Sequence, residues 1–106
     1  MKIYFERSGG FAGMVTSITV DTKMLRPEEA REIQKLIEEA HFFNLPSKLP
    51  QQPSKIKGAA DYYVYKITIE QNNEIRHSVE CTDLNLQSNL RSLIDYLLKN
   101  HQKWRS

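Results

Sequence analysis

One cysteine, four glycines and four prolines among 106 residues leave this chain poor in what covalent cross-links, flexible linkers or rigid spacers need. Cys81 alone cannot form an intramolecular disulfide, and a cysteine-based zinc site would lack ligands, so a reducing compartment suits the chain. Long hydrophobic runs are missing as well. Met1-Lys2-Ile3-Tyr4-Phe5-Glu6-Arg7 brings in charge too early for the apolar region of a signal peptide, and no stretch nears the ~20 apolar residues of a membrane span. The expectation is a soluble, cytoplasmic protein with no membrane partner. A strong excess of one charge is also absent: 15 Lys plus Arg face 13 Asp plus Glu, a net charge of +2, with the signs mixed along the chain. Nucleic-acid binding takes a clustered basic surface that neutralises several phosphates at once, so no nucleic-acid partner is expected.

What is present is an ordinary globular composition, 40% hydrophobic and 26% charged, which predicts a folded chain. The length fits a single domain over residues 1–106. Folding at this size buries roughly 65% of the extended chain's surface, enough for one modest core without disulfide or metal.

Lys2 to Ser8 alternates Ile3 and Phe5 with Tyr4 and Glu6, and Val15 to Asp21 alternates Ile18 and Val20 with Ser17 and Thr19. Both have the two-residue period of half-buried strands. Between them Gly9-Gly10-Phe11-Ala12-Gly13 supplies the glycines of a hairpin connection. Leu25, Ala30, Ile33, Leu36, Ile37 and Ala40 then form a helical stripe, with Pro27 suited to the first turn and Glu28 and Glu29 favourable near the positive end of the dipole. Asp21 or Thr22 could serve as its cap or as a turn before it. From Phe42 to about Ala60 regular pattern gives way to Pro46, Pro50 and Pro53 among polar residues, although Phe42, Phe43 and Leu45 should pack against the sheet.

Tyr63, Tyr65, Ile67 and Ile69 alternate with Val64, Lys66, Thr68 and Glu70 in the clearest strand signal of the chain. Asn72-Asn73 turns it, and Ile75, His77, Val79 and Cys81 form one face of the returning strand. A last helix carries Leu86, Leu90, Leu93, Ile94, Leu97 and Leu98, with Ser88 or Asp83 as start signals. At an offset of 61 residues Leu25, Ile33, Leu36 and Ile37 meet Leu86, Ile94, Leu97 and Leu98. The order is ββαββα: two similar ββα halves, about 1–41 and 62–101, joined by the Pro-containing connector 42–61. The expected fold class is α+β, a four-stranded mostly antiparallel sheet with two helices on one face.

Catalytic groups are scarce. His41, His77 and His101 stand far apart, outside any HExxH or Cys/His cluster, and no phosphate-binding glycine loop occurs. His77 and Cys81 share a strand face, but four residues of strand hold their Cα atoms ~13 Å apart, too far for a nucleophile and its base. No enzyme and no cofactor are expected. Tyr62, Tyr63 and Tyr65 near Lys55, Lys57 and Lys66 could suggest base stacking, yet Tyr62 falls on the opposite face from the other two, which read as core wall.

The unusual feature is the first hairpin's tip. It places Phe11 and Met14 where turn residues are normally polar, so the tip either folds back onto the core or inserts into something else.

Arg7-x-Gly9-Gly10-Phe11-Ala12 in the first hairpin and Asp61-Tyr62-Tyr63-Val64-Tyr65-Lys66-Ile67-x-Ile69 in the third strand resemble the emfourin family, small bacterial protein inhibitors of thermolysin-like zinc metallopeptidases such as protealysin. The resemblance covers nearly the whole chain. It implies a non-enzymatic protein, monomeric or weakly dimeric, that blocks a peptidase cleft with Gly9, Gly10, Phe11, Ala12, Gly13, Met14 and Val15. In the family the inserted anchor is a leucine-like residue after the Gly-Gly-Phe-Ala element. Met14 is the nearest candidate, and Val15 or Phe11 could take the role. The alternative is a non-catalytic interaction module acting through a sheet edge or as a homodimer.

Overall fold

The computed structural model describes residues 1–9, 15–47, 63–72, 74–83 and 86–104. Strands β1 (Lys2–Gly9) and β2 (Thr16–Asp21) pair antiparallel and precede helix α1 (Pro27–Glu39). Strands β3 (Tyr63–Gln71) and β4 (Ile75–Thr82) pair antiparallel and precede helix α2 (Ser88–Trp104). The two hairpins join through β1 and β3, giving one antiparallel sheet of order β2-β1-β3-β4. This is the expected α+β arrangement with element order ββαββα.

Register explains the core. Ile3 stands opposite Val20 and Ile69, Phe5 opposite Ile18 and Ile67, and Tyr65 and Ile67 opposite Cys81 and Val79. Side chains alternate along each strand, so these apolar residues fall on a single face. Ile33, Leu36 and Ile37 of α1 and Leu90, Leu93, Ile94 and Leu97 of α2 cover that face and form one buried cluster with it. The opposite face is polar; its Thr68 is buried, and the hydroxyl is satisfied there by a 2.8 Å hydrogen bond shared with Ser78 on β4.

The helix starts follow local chemistry. Asp21 belongs to a turn that precedes α1: its carboxylate accepts from the Lys23 N–H (3.0 Å) over a 3-10 turn at Thr22–Met24. Pro27 then opens α1, where a missing N–H costs nothing, and Glu29 reaches back to the Arg26 N–H at 3.4 Å. The helix ends as His41 takes a left-handed backbone (φ 51°), and Asn89 of α2 donates to the Glu39 carbonyl at 3.0 Å. Helix α2 starts at Ser88, whereas Asp83 is committed elsewhere.

The connector begins as packed structure. Phe42–Asn44 forms a 3-10 turn with Phe42 buried, its ring edge-on to those of Phe43 and His77. His77 Nε2 donates to the Leu45 carbonyl (2.7 Å) and the Glu80 N–H donates to the Ser47 carbonyl (2.8 Å), so this segment lies along the outer edge of β4.

Candidate functional site

The candidate site lies where β1 gives way to the glycine-rich segment. Pairing of β1 with β2 ends at Arg7 opposite Thr16, but β1 continues along β3, with Ser8 opposite Val64 and Gly9 opposite Tyr63. Gly9, the last described residue of β1, has φ 95°, a backbone conformation that a Cβ atom would oppose. Val15, immediately before β2, is 61% exposed. Of the residues proposed from the sequence, Gly9 and Val15 thus flank the tip, while Gly10, Phe11, Ala12, Gly13 and Met14 lie outside the described residues.

The base of this tip is tied by groups from three strands. The Arg7 guanidinium sits 4.5 Å from the centre of the Tyr63 ring, a cation–π contact linking β1 to β3. Tyr63 leans on Tyr65, and Tyr65 stacks on Phe5, with ring centres 6.2 Å apart in both pairs. From the end of β4, Asp83 accepts the Tyr63 N–H (2.9 Å) and the Tyr65 hydroxyl (2.6 Å), and its own N–H donates to the Tyr63 carbonyl (3.2 Å). Burial, then the hydrogen bond and negative charge of Asp83, raise the Tyr65 pKa against the opposing pull of Arg91 and Arg7, so the phenol stays protonated and donates. Arg91 approaches Asp83 at 3.9 Å, but both are part-exposed and the pair contributes little.

In the sequence Asp83 stands beside Ser88 as one of two start signals for α2, and nothing there points to this bonding. Its position just past the β4 pattern, three residues ahead of Leu86, fits both roles, and only the register brings it to Tyr63. The two stretches that carry the family resemblance meet at this point: Arg7 and Gly9 stand opposite Tyr65 and Tyr63.

Other features offer less chemistry. Cys81 is buried and its thiol is pushed up to about 11, by burial first and then by the charges of Asp83 and Glu80, which removes the thiolate a nucleophile needs. His77 is bonded to the connector backbone. Among the described residues no three His, Cys, Asp or Glu side chains gather as a metal ion would require, and no helix is long and apolar enough to cross a membrane. A groove of about 310 Å³ on the open sheet face, lined by Tyr4, Lys66, Thr68 and Arg76 among others, does not include Gly9 or Val15.

No curated protein and no solved structure matches the chain. The family model described as Emfourin matches residues 5–98, a span that runs from β1 into α2 and takes in the whole base of the tip. The chain therefore belongs to the Emfourin family, a non-enzymatic family of protease inhibitors.

Proposed function

We propose that this protein inhibits a thermolysin-like zinc metallopeptidase of the protealysin type, as a cytoplasmic one-to-one complex, by inserting the tip Gly9 to Val15 into the active-site cleft. The observation that carries this reading is a glycine-rich, apolar segment of sequence placed between the end of β1 at Gly9 and the exposed Val15, in a chain of an inhibitor family. A thermolysin-like cleft combines an open zinc position with a hydrophobic pocket. One apolar side chain on a pre-organised loop fills such a pocket at little ordering cost. Met14 is the leading anchor, with Phe11 and Val15 beside it.

The tip residues include no cysteine and no carboxylate to ligate the peptidase's zinc, which favours steric exclusion over metal capture. Resistance to cleavage then requires a backbone held away from a productive pose, and the pairing of β1 with β3 up to Gly9 supports this. The test is inhibition by Phe11→Asp and Met14→Asp variants of retained fold. Loss of inhibition is expected, and full inhibition by both overturns the assignment of the tip.

One observation favours a second reading, an interaction module acting through a sheet edge. Leu45 and Ser47 occupy the outer edge of β4, whereas among the described strands β2 pairs with β1 alone. A stable dimer in sedimentation together with no peptidase inhibition would select it.

A further inference from the structure

We infer that Arg7 is a specificity-determining residue of the inhibitor: its guanidinium, held over the Tyr63 ring at the Gly9 end of the sheet, takes up a carboxylate on the rim of the target's cleft. The inference rests on the reading that this end of the sheet meets the peptidase.

Arg7 breaks the pattern of its own strand. Ile3 and Phe5 are buried on the core face of β1, and Arg7 is next in that alternation, opposite Thr16 on β2 and Tyr65 on β3. An apolar side chain there would extend the buried cluster over the two tyrosines. A charge at a position patterned for the core is the kind of departure that functional sites retain.

The place of the guanidinium is built in advance. Phe5, Tyr65 and Tyr63 form a run of ring contacts, with centres 6.2 Å apart at each step, that ends beneath Arg7, whose guanidinium carbon lies 4.5 Å from the centre of the Tyr63 ring. Asp83 anchors both tyrosines, accepting the Tyr65 hydroxyl at 2.6 Å and the Tyr63 N–H at 2.9 Å. The planar group is thus positioned before any partner arrives, which lowers the ordering cost of binding one.

Arg7 is held but not neutralised. No hydrogen bond or ion pair to another described residue engages its nitrogens. Because no buried side-chain nitrogen among the described residues lacks a partner, these nitrogens reach water. A second arginine over a tyrosine gives the contrast. Arg76 lies 5.9 Å from the centre of the Tyr4 ring, at the end of the sheet remote from Gly9, and there Glu70 pairs with the guanidinium at 2.6 Å. A positioned guanidinium with open donors is matched by a carboxylate, which it takes in two parallel hydrogen bonds.

The experiment measures inhibition of a thermolysin-like zinc peptidase by wild type, Arg7→Met, Arg7→Glu and Arg76→Met at about 0.05 M and about 0.5 M NaCl, with the thermal stability of each protein. Methionine keeps an unbranched side chain against the Tyr63 ring without the charge, so an Arg7 that served only the fold would lose nothing in inhibition. Arg7→Met should inhibit about tenfold or more weakly than wild type at low salt and respond less to added salt. Arg7→Glu should be weaker still, because its carboxylate repels the partner's, and Arg76→Met should inhibit like wild type.

A folded Arg7→Met with the inhibition constant and salt dependence of wild type overturns the inference. So does a folded Arg7→Glu that inhibits as well as Arg7→Met, since the group opposite is then not a carboxylate. Should neither variant fold, wild-type inhibition that is unchanged between the two salt concentrations overturns it. A wild type that does not inhibit at all overturns the reading of this end as the peptidase-binding end and the inference with it, whereas intact wild-type inhibition that Arg7 does not affect overturns the inference alone.

Discussion

Replacing Phe42 by alanine should separate stability from inhibition. Phe42 is 1% exposed, and its ring packs edge-on against Phe43 and His77 with centres 5.5 Å from each. It pins the segment whose Leu45 and Ser47 carbonyls accept from His77 and Glu80 along β4. The lost transfer free energy of a fully buried Phe is about 2–3 kcal/mol. The cavity left beneath the connector raises the expected cost to about 3–5 kcal/mol. A protein of this size has about 5–15 kcal/mol to lose, so the variant should fold at 25 °C with a melting temperature lowered by more than about 12 °C. His77 stands opposite Ile69, toward the end of the sheet remote from Gly9 and Tyr63. Inhibition measured well below the transition should therefore match wild type. Urea unfolding and a peptidase titration on the same sample read both quantities. A cost under about 1 kcal/mol would refute the packing argument, and a parallel loss of inhibition would refute the separation of the two ends.

Two other measurements bear on buried ionisable groups. The Cys81 thiol should react with a disulfide reagent at pH 8 at least about a hundredfold faster in denaturant than in the native state, because it is buried and its pKa is pushed up to about 11; equal rates would show that the β4 end opens freely. Burial, first among the causes in each case, also raises the Tyr65 and Tyr96 pKa values, with Asp83 adding at Tyr65 and Glu29 and Glu32 at Tyr96. For all three groups the folded state keeps a proton that the unfolded state has released, so stability should hold below about pH 9 and fall as pH rises beyond it. Urea midpoints unchanged between pH 8 and pH 10.5 would contradict this.

Much of the fold is legible in the sequence because two periods dominate it. The alternation of Tyr65, Ile67 and Ile69 against Lys66 and Glu70 reproduces the buried face of β3, and the stripes Ile33-Leu36-Ile37 and Leu90-Leu93-Ile94-Leu97 reproduce the helix faces. Thr68 departs from the pattern as a buried residue on the polar face, its hydroxyl satisfied by a partner ten residues away that alternation does not encode. Phe42, Phe43 and Leu45 are readable as packed from hydrophobicity alone, but the edge they cover is set by the positions of His77 and Glu80. The candidate site is legible in its unusual composition, three of the four glycines falling within Gly9 to Gly13 beside large apolar residues. Its support is not. Asp83 next to Tyr63 is a product of β3–β4 register, and the contact of Arg7 with Tyr63 is a product of β1–β3 pairing across more than fifty residues of chain.

The central claim is that a small non-catalytic protein acts by filling another enzyme's cleft. Its most direct test is a titration of the wild-type protein against a thermolysin-like zinc peptidase at several concentrations of a short peptide substrate, with an unrelated zinc peptidase in parallel. The account predicts competitive inhibition of the thermolysin-like enzyme with an equivalence point of one inhibitor per enzyme, and none of the unrelated one. Undiminished hydrolysis at a stoichiometric excess of the protein, or inhibition that a saturating substrate does not relieve, would contradict it.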